Sequence, residues 1–218
     1  IFSSVFDVKL KMPNATSPAI IENVIIPIPG KHNVLNALAA ISVGVELDFG
    51  MKVIRDGFKN FKGVKRRFTK VCKYHGSEII DDYAHHPVEI RATLETARNI
   101  ASGRGGKVIA TFQPHRYSRL KNLFSDFVNC FTDADSIYIT DVFAAGESPI
   151  DGINSAVLVD SIKDTGKNAS YMSNHEDIVK MVESQAKEGD IFVFMGAGSI
   201  SSWANQLTEK LAKSNEPK

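Results

Sequence analysis

Two short runs near the middle of the chain hold most of the side chains that could bind an anion or move a proton. In Asp81-Asp82-Tyr83-Ala84-His85-His86-Pro87 a histidine pair stands just ahead of a proline. Proline suits the first turn of a helix, because the N–H it lacks would find no partner there. His85 and His86 are therefore expected at a helix N-terminus, a favourable place for negative charge. In Gln113-Pro114-His115-Arg116-Tyr117-Ser118-Arg119 two arginines stand three apart at the start of a predicted helix. From one helix face they could fork onto a carboxylate or a phosphate. The expectation is one anion held between His85 and the Arg116/Arg119 pair.

Taken singly, these features have plainer readings. A histidine pair ahead of a helix commonly supplies a cap and a packing residue, and adjacent side chains diverge too far to hold a metal without further ligands. Arginines on a helix face usually form solvated ion pairs worth little. Asp81-Asp82 could end a strand and nothing more. Convergence of these groups on one edge of a sheet is what favours a site.

Other runs are more ambiguous. Asn33 and Asn36, in Gly30-Lys31-His32-Asn33-Val34-Leu35-Asn36, also stand three apart at a helix start. Their amides could read a base or a sugar, or Asn33 could simply cap the helix. Lys65-Arg66-Arg67 could bind phosphate or be a solvated linker, and composition alone favours the linker. Gly196-Ala197-Gly198 follows an apolar strand but matches only two glycines of a dinucleotide loop, so it reads as a packing turn. The sequence contains no loop ending in Gly-Lys-Ser/Thr that would cradle ATP phosphates.

The elements that would carry these residues follow two patterns. Up to about residue 29 the sequence is β-like: an alternating run Val5 to Leu10, turn residues at Pro13-Asn14 and Ser17-Pro18, then a strand from Asn23 to Ile28. Apolar residues then recur at helical spacing, at Leu35, Leu38, Ala39, Val43 and Leu47, and a second short helix carries Val53, Ile54 and Phe58. A boundary falls near Phe61 to Phe68, dividing 1–64 from 65–218. Beyond it, strands near 78–83, 107–112, 136–142, 169–172 and 190–195 alternate with helices near 87–101, 117–131, 153–164, 176–187 and 199–213. Such alternation predicts an α/β domain with a mostly parallel sheet covered on both faces, all strand-to-helix turns lying on one edge.

Composition excludes several classes. The 218 residues leave room for one large domain or one and a part, at about 150 residues per domain. Lys and Arg number 26 against 25 Asp and Glu, a net charge of +1, so no basic field draws the chain onto nucleic acid or anionic lipid. Any anion site has to be local. No apolar run approaches the roughly 18 residues of a membrane span. Cys72 and Cys130, far apart in sequence, suit a reducing compartment better than a disulfide scaffold, and a cytoplasmic location is expected. The opening Ile1-Phe2-Ser3-Ser4 lacks an initiator methionine and runs at once into a strand, so a fragment is expected. The polar tail Lys213 to Lys218 is expected to fray.

In order along the chain, three runs resemble the Mur ligases of peptidoglycan synthesis: Gly30-Lys31-His32-Asn33 with Asn36, Ala39 and Ala40; Gly63-Val64-Lys65-Arg66-Arg67-Phe68; and Asp81 to Pro87. Phe112 to Arg119 and Asp141-Val142-Phe143-Ala144-Ala145-Gly146-Glu147 narrow the resemblance to members that add L-alanine to UDP-N-acetylmuramate. The match covers nearly everything from residue 30 onward. That family has a UDP-sugar domain, a central ATPase and a Rossmann-like C-terminal domain. The resemblance implies that 1–64 is the C-terminal part of the central ATP-binding domain and 65–218 the Rossmann-like domain. It further implies a bacterial cytoplasmic enzyme that uses ATP and Mg²⁺. The muramyl lactyl carboxylate becomes an acyl phosphate, which the L-alanine amine attacks to give an amide, ADP and phosphate. The implied partners are these small molecules, with no nucleic acid and no membrane.

Residue roles follow from the same resemblance. Asn33 and Asn36 would meet the adenine, Asp82 the ribose, and Arg67 the nucleotide with a catalytic part. His85, Arg116 and Arg119 would hold the L-alanine carboxylate, with His85 also catalytic. No metal ligand is implied here, since Mg²⁺ would be bound mainly by central-domain residues outside this sequence. The phosphate loop and the UDP-sugar domain have no counterpart, so ligation by this chain alone is not expected. The stretch between Phe68 and Asp81 is short for the family, and Ala84 stands where glycine is common. Two alternatives remain. One is the murein tripeptide recycling ligase, which shares the Asp-Asp and His-His-Pro region. The other is a non-catalytic Rossmann-like module that binds a nucleotide or an amino acid.

Overall fold

The computed structural model describes residues 2–11 and 18–214, with side chains up to Leu211. Pro13, Asn14 and Ser17 of the predicted turn, and residues 215–218 of the predicted tail, lie outside the described residues. The chain divides into two compact units, Ile1–Lys65 and Arg66–Lys218.

The first unit is an antiparallel hairpin, β1 (Ser4–Leu10) with β2 (Ala19–Ile26), followed by helices α1 (Lys31–Glu46) and α2 (Met51–Asn60). β2 stops before Pro27-Ile28-Pro29, where two residues lack the N–H a ladder needs. Val8, Ile21, Val24, Ile41 and Ile54 form its core. The predicted apolar stripe of α1 is corrected here. Leu35, Val43 and Leu47 are exposed, and the buried face is Asn33, Ala37, Ile41 and Gly44. A helix with apolar residues on more than one side leaves its period ambiguous as to which side packs. A Cβ at Gly44 would stand 3.3 Å from Ile54, so the bare backbone lets α2 lie against α1.

The second unit is a six-stranded sheet flanked by helices. Its elements run β3 (Thr69–Tyr74), β4 (Ser77–Asp82), α3 (Pro87–Ser102), β5 (Val108–Phe112), α4 (Tyr117–Asn122), α5 (Phe124–Val128), β6 (Ser136–Ile139), α6 (Ser155–Asp164), β7 (Ala169–Tyr171), α7 (His175–Gln185), β8 (Ile191–Met195) and α8 (Ile200–Ser214). The sheet order is β3-β4-β8-β5-β6-β7, and only β3 runs antiparallel to its neighbour. Strand alternation divides the side chains between two faces. Ile79, Ile109, Phe192 and Phe194 pack with Ile178, Val182, Ala204 and Leu207 of α7 and α8. On the opposite face Phe112 stacks on Phe127 at 5.6 Å and meets Phe131 at a tilt at 5.7 Å. Every residue of β4, β5 and β8 is buried.

Two expectations are corrected. β3 has no counterpart in the sequence reading. It pairs with β4 across the two-residue turn His75-Gly76, where both φ angles are positive (47° and 78°), as a tight hairpin loop demands. The predicted helix 117–131 is two short helices that meet at Leu123, where φ is −118° and ψ 23°. Leu120 and Phe127 are both buried on either side of that break. Among the described residues no helix is long and apolar enough to cross a membrane.

Candidate functional site

In parallel α/β sheets ligands gather beyond the carboxyl ends of the strands. Here β4, β8, β5 and β6 end together, and Tyr83 to His86, Gly196 to Ser199, Gln113 to Arg116, and Thr140 to Glu147 follow them. Asp81 and Asp82 close β4 and point to opposite faces. Asp81 accepts from Ser201 of α8, while Asp82 accepts from Thr93 of α3 at 3.3 Å.

Both aspartates are only 3% exposed. Asp82 also takes the Phe68 amide at 2.7 Å and the Ala84 amide at 2.8 Å. Burial pushes its pKa up, and these hydrogen bonds with the nearby Arg67 charge pull it back. Its carboxylate is thus enclosed by the chain's own donors, and it pins the backbone just before β3 and just after β4.

His86 is the cap of α3. Its Nδ1 accepts from the Val88 amide at 3.4 Å, Pro87 occupies the first turn, and Glu89 reaches back to the His85 and His86 amides at 3.0 and 3.2 Å. His85 is thereby held one residue outside the helix. Its Nδ1 lies 2.9 Å from the Tyr83 carbonyl and 3.4 Å from Glu89 Oε2. Burial raises the Glu89 pKa, but the hydrogen bond from the His85 amide and the His85 charge outweigh it, so the net shift is downward.

Arg116 departs from expectation. It precedes α4 as the cap residue, with φ 70° and ψ 132°, and so does not share a helix face with Arg119. The reason lies in pairing across the sheet edge. His115 bridges to Phe143, with Phe143 N donating to Pro114 O and Arg116 N donating to Phe143 O, both at 2.8 Å. The chain must turn sharply immediately afterwards. Arg119, inside α4, brings Nη1 to 3.4 Å from both His115 Nδ1 and the His115 carbonyl. Among the described residues neither arginine forms an ion pair with a carboxylate.

His115 joins the two predicted halves. Its ring is 6.1 Å from His85 and stacks on Phe143 at 5.4 Å with 14° between planes. Burial lowers its pKa, and the charges of Arg119, His85 and Arg116 lower it further, against Glu147. The ring thus favours its neutral form among the cations. Tyr83 extends the array, with His85 edge-on at 5.0 Å and the Arg66 and Arg67 guanidinium groups 4.6 and 5.9 Å from its ring. Arg66 also donates to the Gly196 carbonyl, so this arginine pair is no solvated linker.

Gln113 ties the end of β5 to the end of β8 and the start of α8. Its amide N–H donates to Met195 O at 2.9 Å, its side chain donates to Ser199 Oγ, and its Oε1 accepts from Ile200 N, each at 3.1 Å. Gly198 is bare because a Cβ would collide with Gln113 Oε1 and come within 2.6 Å of the Phe143 ring. Gly196-Ala197-Gly198 is accordingly a close-packed turn. Tyr83, Gln113, His115, Phe143 and Glu147 were not selected from sequence, although each lies in a run that carried the resemblance. In the first unit, Asn33 is buried with Nδ2 donating to Pro29 O at 2.8 Å, whereas Asn36 is exposed. Gly30, with φ 103°, is the cap residue of α1, so Asn33 is not.

A family model described as Mur ligase, glutamate ligase domain, matches residues 66–198. The chain belongs to the Mur ligase family. It is 58% identical over 212 residues to the UDP-N-acetylmuramate–L-alanine ligase of Rickettsia canadensis, covering 96% of this chain and 44% of that protein. The chain therefore spans less than half the length of the curated relatives it matches. Among solved structures, the UDP-N-acetylmuramate-alanine ligase of Thermotoga maritima superposes with a TM-score of 0.74 at 26% identity, over 98% of this chain and 46% of that one. The murein peptide ligase of Psychrobacter arcticus shares the fold, with a TM-score of 0.64 at 20% identity, over 100% of this chain and 45% of that one. As Mur ligase elements, the strand ends after β4 and β5 are the places where its polar groups converge.

Proposed function

We propose that the full-length protein containing this chain joins L-alanine to UDP-N-acetylmuramate with hydrolysis of ATP, in bacterial cytoplasmic peptidoglycan precursor synthesis, and that this chain supplies the amino-acid site. One observation carries the reading. Arg116 and Arg119 lie without carboxylate partners around a His115 ring that favours neutrality, opposite His85. Two neighbouring guanidinium groups without a carboxylate of the chain's own suit the carboxylate of an amino acid. The names of relatives such as the Rickettsia canadensis enzyme support L-alanine as that amino acid.

The chemistry asked of these residues is positioning and proton transfer. In its neutral form, with Nδ1 donating to the Tyr83 carbonyl, the His85 ring presents Nε2 as its acceptor. That nitrogen takes the proton the amine must lose as it attacks an acyl phosphate. Arg116 and Arg119 hold the carboxylate, so the amine is presented in one orientation and the encounter becomes intramolecular. Asn33 and Asn36 serve the adenine side of ATP, and Arg67 serves the nucleotide. Asp82 acts one step removed, holding the Phe68 amide and hence the backbone of Arg67. ATP bound with Mg²⁺ would supply the phosphoryl group that activates the sugar carboxylate. Among the described residues no group of three His, Cys, Asp or Glu could hold a metal ion, so these residues do not fit a Mg²⁺ site and none is assigned to one.

The test is amino-acid-dependent phosphate release by the full-length protein with ATP and UDP-N-acetylmuramate, comparing L-alanine with the murein tripeptide. Turnover with L-alanine is expected. Turnover with the tripeptide alone would replace the reading by a recycling ligase, and turnover with neither would leave a binding module.

A further inference from the structure

The run Asp141 to Glu147 carries part of the family resemblance, yet none of its side chains belongs to the reacting groups. In the structure it leaves β6 and passes beside the turn that carries Arg116. Glu147 Oε1 accepts from Ser118 Oγ at 2.6 Å, and Oε2 accepts from Ser118 N at 2.9 Å. Ser118 is in the first turn of α4. Arg116, at the cap position, has no side-chain oxygen and makes no capping bond. Glu147 thus does from another loop what a cap side chain does locally, taking a backbone donor the helix leaves open.

The turn it holds is strained. A non-glycine residue at φ 70° and ψ 132° lies outside the regions that L side chains favour, and such a residue persists only where its surroundings determine it. Three contacts from the 141–147 loop do so: the Phe143 carbonyl and amide on either side of His115, and the Glu147 carboxylate on Ser118. The Ser118 hydroxyl and amide, then the Arg116 charge, hold the Glu147 carboxyl below the usual carboxylate range against some burial. It is ionised at neutral pH, yet it makes no direct ion pair with Arg116 among the described residues, so the guanidinium stays available.

We propose that Glu147 is the positioning residue of the amino-acid site. Its carboxylate fixes the strained turn and first helical turn that aim Arg116 and Arg119 at the substrate carboxylate. This rests on the reading of the site under Proposed function.

The test uses Glu147→Gln and Glu147→Asp in the full-length protein, with Ser118→Ala as a milder variant that loses only the hydroxyl bond. In Glu147→Gln the KM for L-alanine should rise roughly five- to tenfold, while kcat and the KM for ATP change less than about twofold. Glu147→Asp should recover part of the loss, and Ser118→Ala should fall between it and wild type. Hydrogen exchange at the Ser118 amide should quicken in Glu147→Gln without substrate. An unchanged KM for L-alanine in an active Glu147→Gln protein would overturn the proposal. So would an equal loss in kcat and both KM values, the mark of a structural role only. A wild-type protein without L-alanine-dependent turnover would instead overturn the functional reading, and the positioning role with it. Unchanged exchange at Ser118 would show that the cap itself is absent.

Discussion

Asp82→Ala should leave the second unit less stable than Asp82→Asn by about 1–3 kcal/mol, the cost of one additional buried donor without an acceptor. The Phe68 and Ala84 amides are fixed by the backbone at 2.7 and 2.8 Å from the two carboxylate oxygens. Alanine leaves both unsatisfied. Asparagine keeps one oxygen and so satisfies one of them, while its NH₂ group faces the other. The Thr93 hydroxyl can rotate away in either variant and contributes little to the difference. Removing the charge relieves the penalty of burying it, but both substitutions do so equally, and that gain cancels in the comparison.

Trp203, the sole tryptophan, packs against the core on the α8 face, so its fluorescence follows the unit as a whole during urea unfolding. With an m-value of about 1–3 kcal/mol/M, the two midpoints should differ by roughly 0.3–3 M. Midpoints closer than about 0.2 M would mean that the amides do not depend on the carboxylate. Asp82 would then be free for the ribose contact that the family resemblance implies. The pH dependence supplies a sign. Burial makes the folded state hold this proton more tightly than the unfolded chain does. Wild-type stability relative to both variants should therefore fall as pH rises from the unfolded carboxylate range through the raised folded value.

Three further outcomes are expected. Arg116→Ala and Arg119→Ala should each raise the KM for L-alanine roughly 10- to 100-fold, the scale of a lost charge-assisted hydrogen bond, with far less effect on ATP; equal effects on both substrates would contradict the carboxylate role. The His115 titration, followed by NMR, should lie below the ordinary histidine value and move up toward it in Arg119→Gln, since burial and then Arg119 depress it. The stability linked to this neutral ring is lost as pH falls from the unfolded histidine value through the lower folded one, and an unmoved titration would remove Arg119 from its surroundings. Gly198→Ala should push the Phe143 ring off His115 and cost about 1–3 kcal/mol, checked by urea unfolding and by loss of ring-to-ring contacts in NMR.

The alternation of apolar strands and helices was legible from Ser77 onward because each element there is a separate buried run, and most ends fall within two residues of expectation. β3 was less visible. Thr69-Lys70-Val71-Cys72-Lys73-Tyr74 lies at the sheet edge and alternates imperfectly, with a register shift between Lys70 and Cys72. Its clearest signal is the turn His75-Gly76 rather than the strand itself. The buried face of α1 differs from the one its spacing predicts because the choice between its apolar sides is made by the hairpin it packs on. The sheet order, with β8 between β4 and β5, follows from tertiary packing and has no local signature.

The candidate site divides along the same line. His85 and His86 could be placed from sequence because Pro87 and Glu89 act within four residues of them. The spacing of Arg116 and Arg119 points to a shared helix face that the fold does not use, and Arg116 comes near Arg119 by a strained turn instead. What creates that turn is pairing between His115 and Phe143, 28 positions apart in sequence, and what holds it is Glu147, 29 positions beyond Ser118. No spacing rule reaches so far. The anion-binding chemistry was therefore readable from residue types, whereas the geometry that aims it belongs to a loop whose residues carry no reacting group.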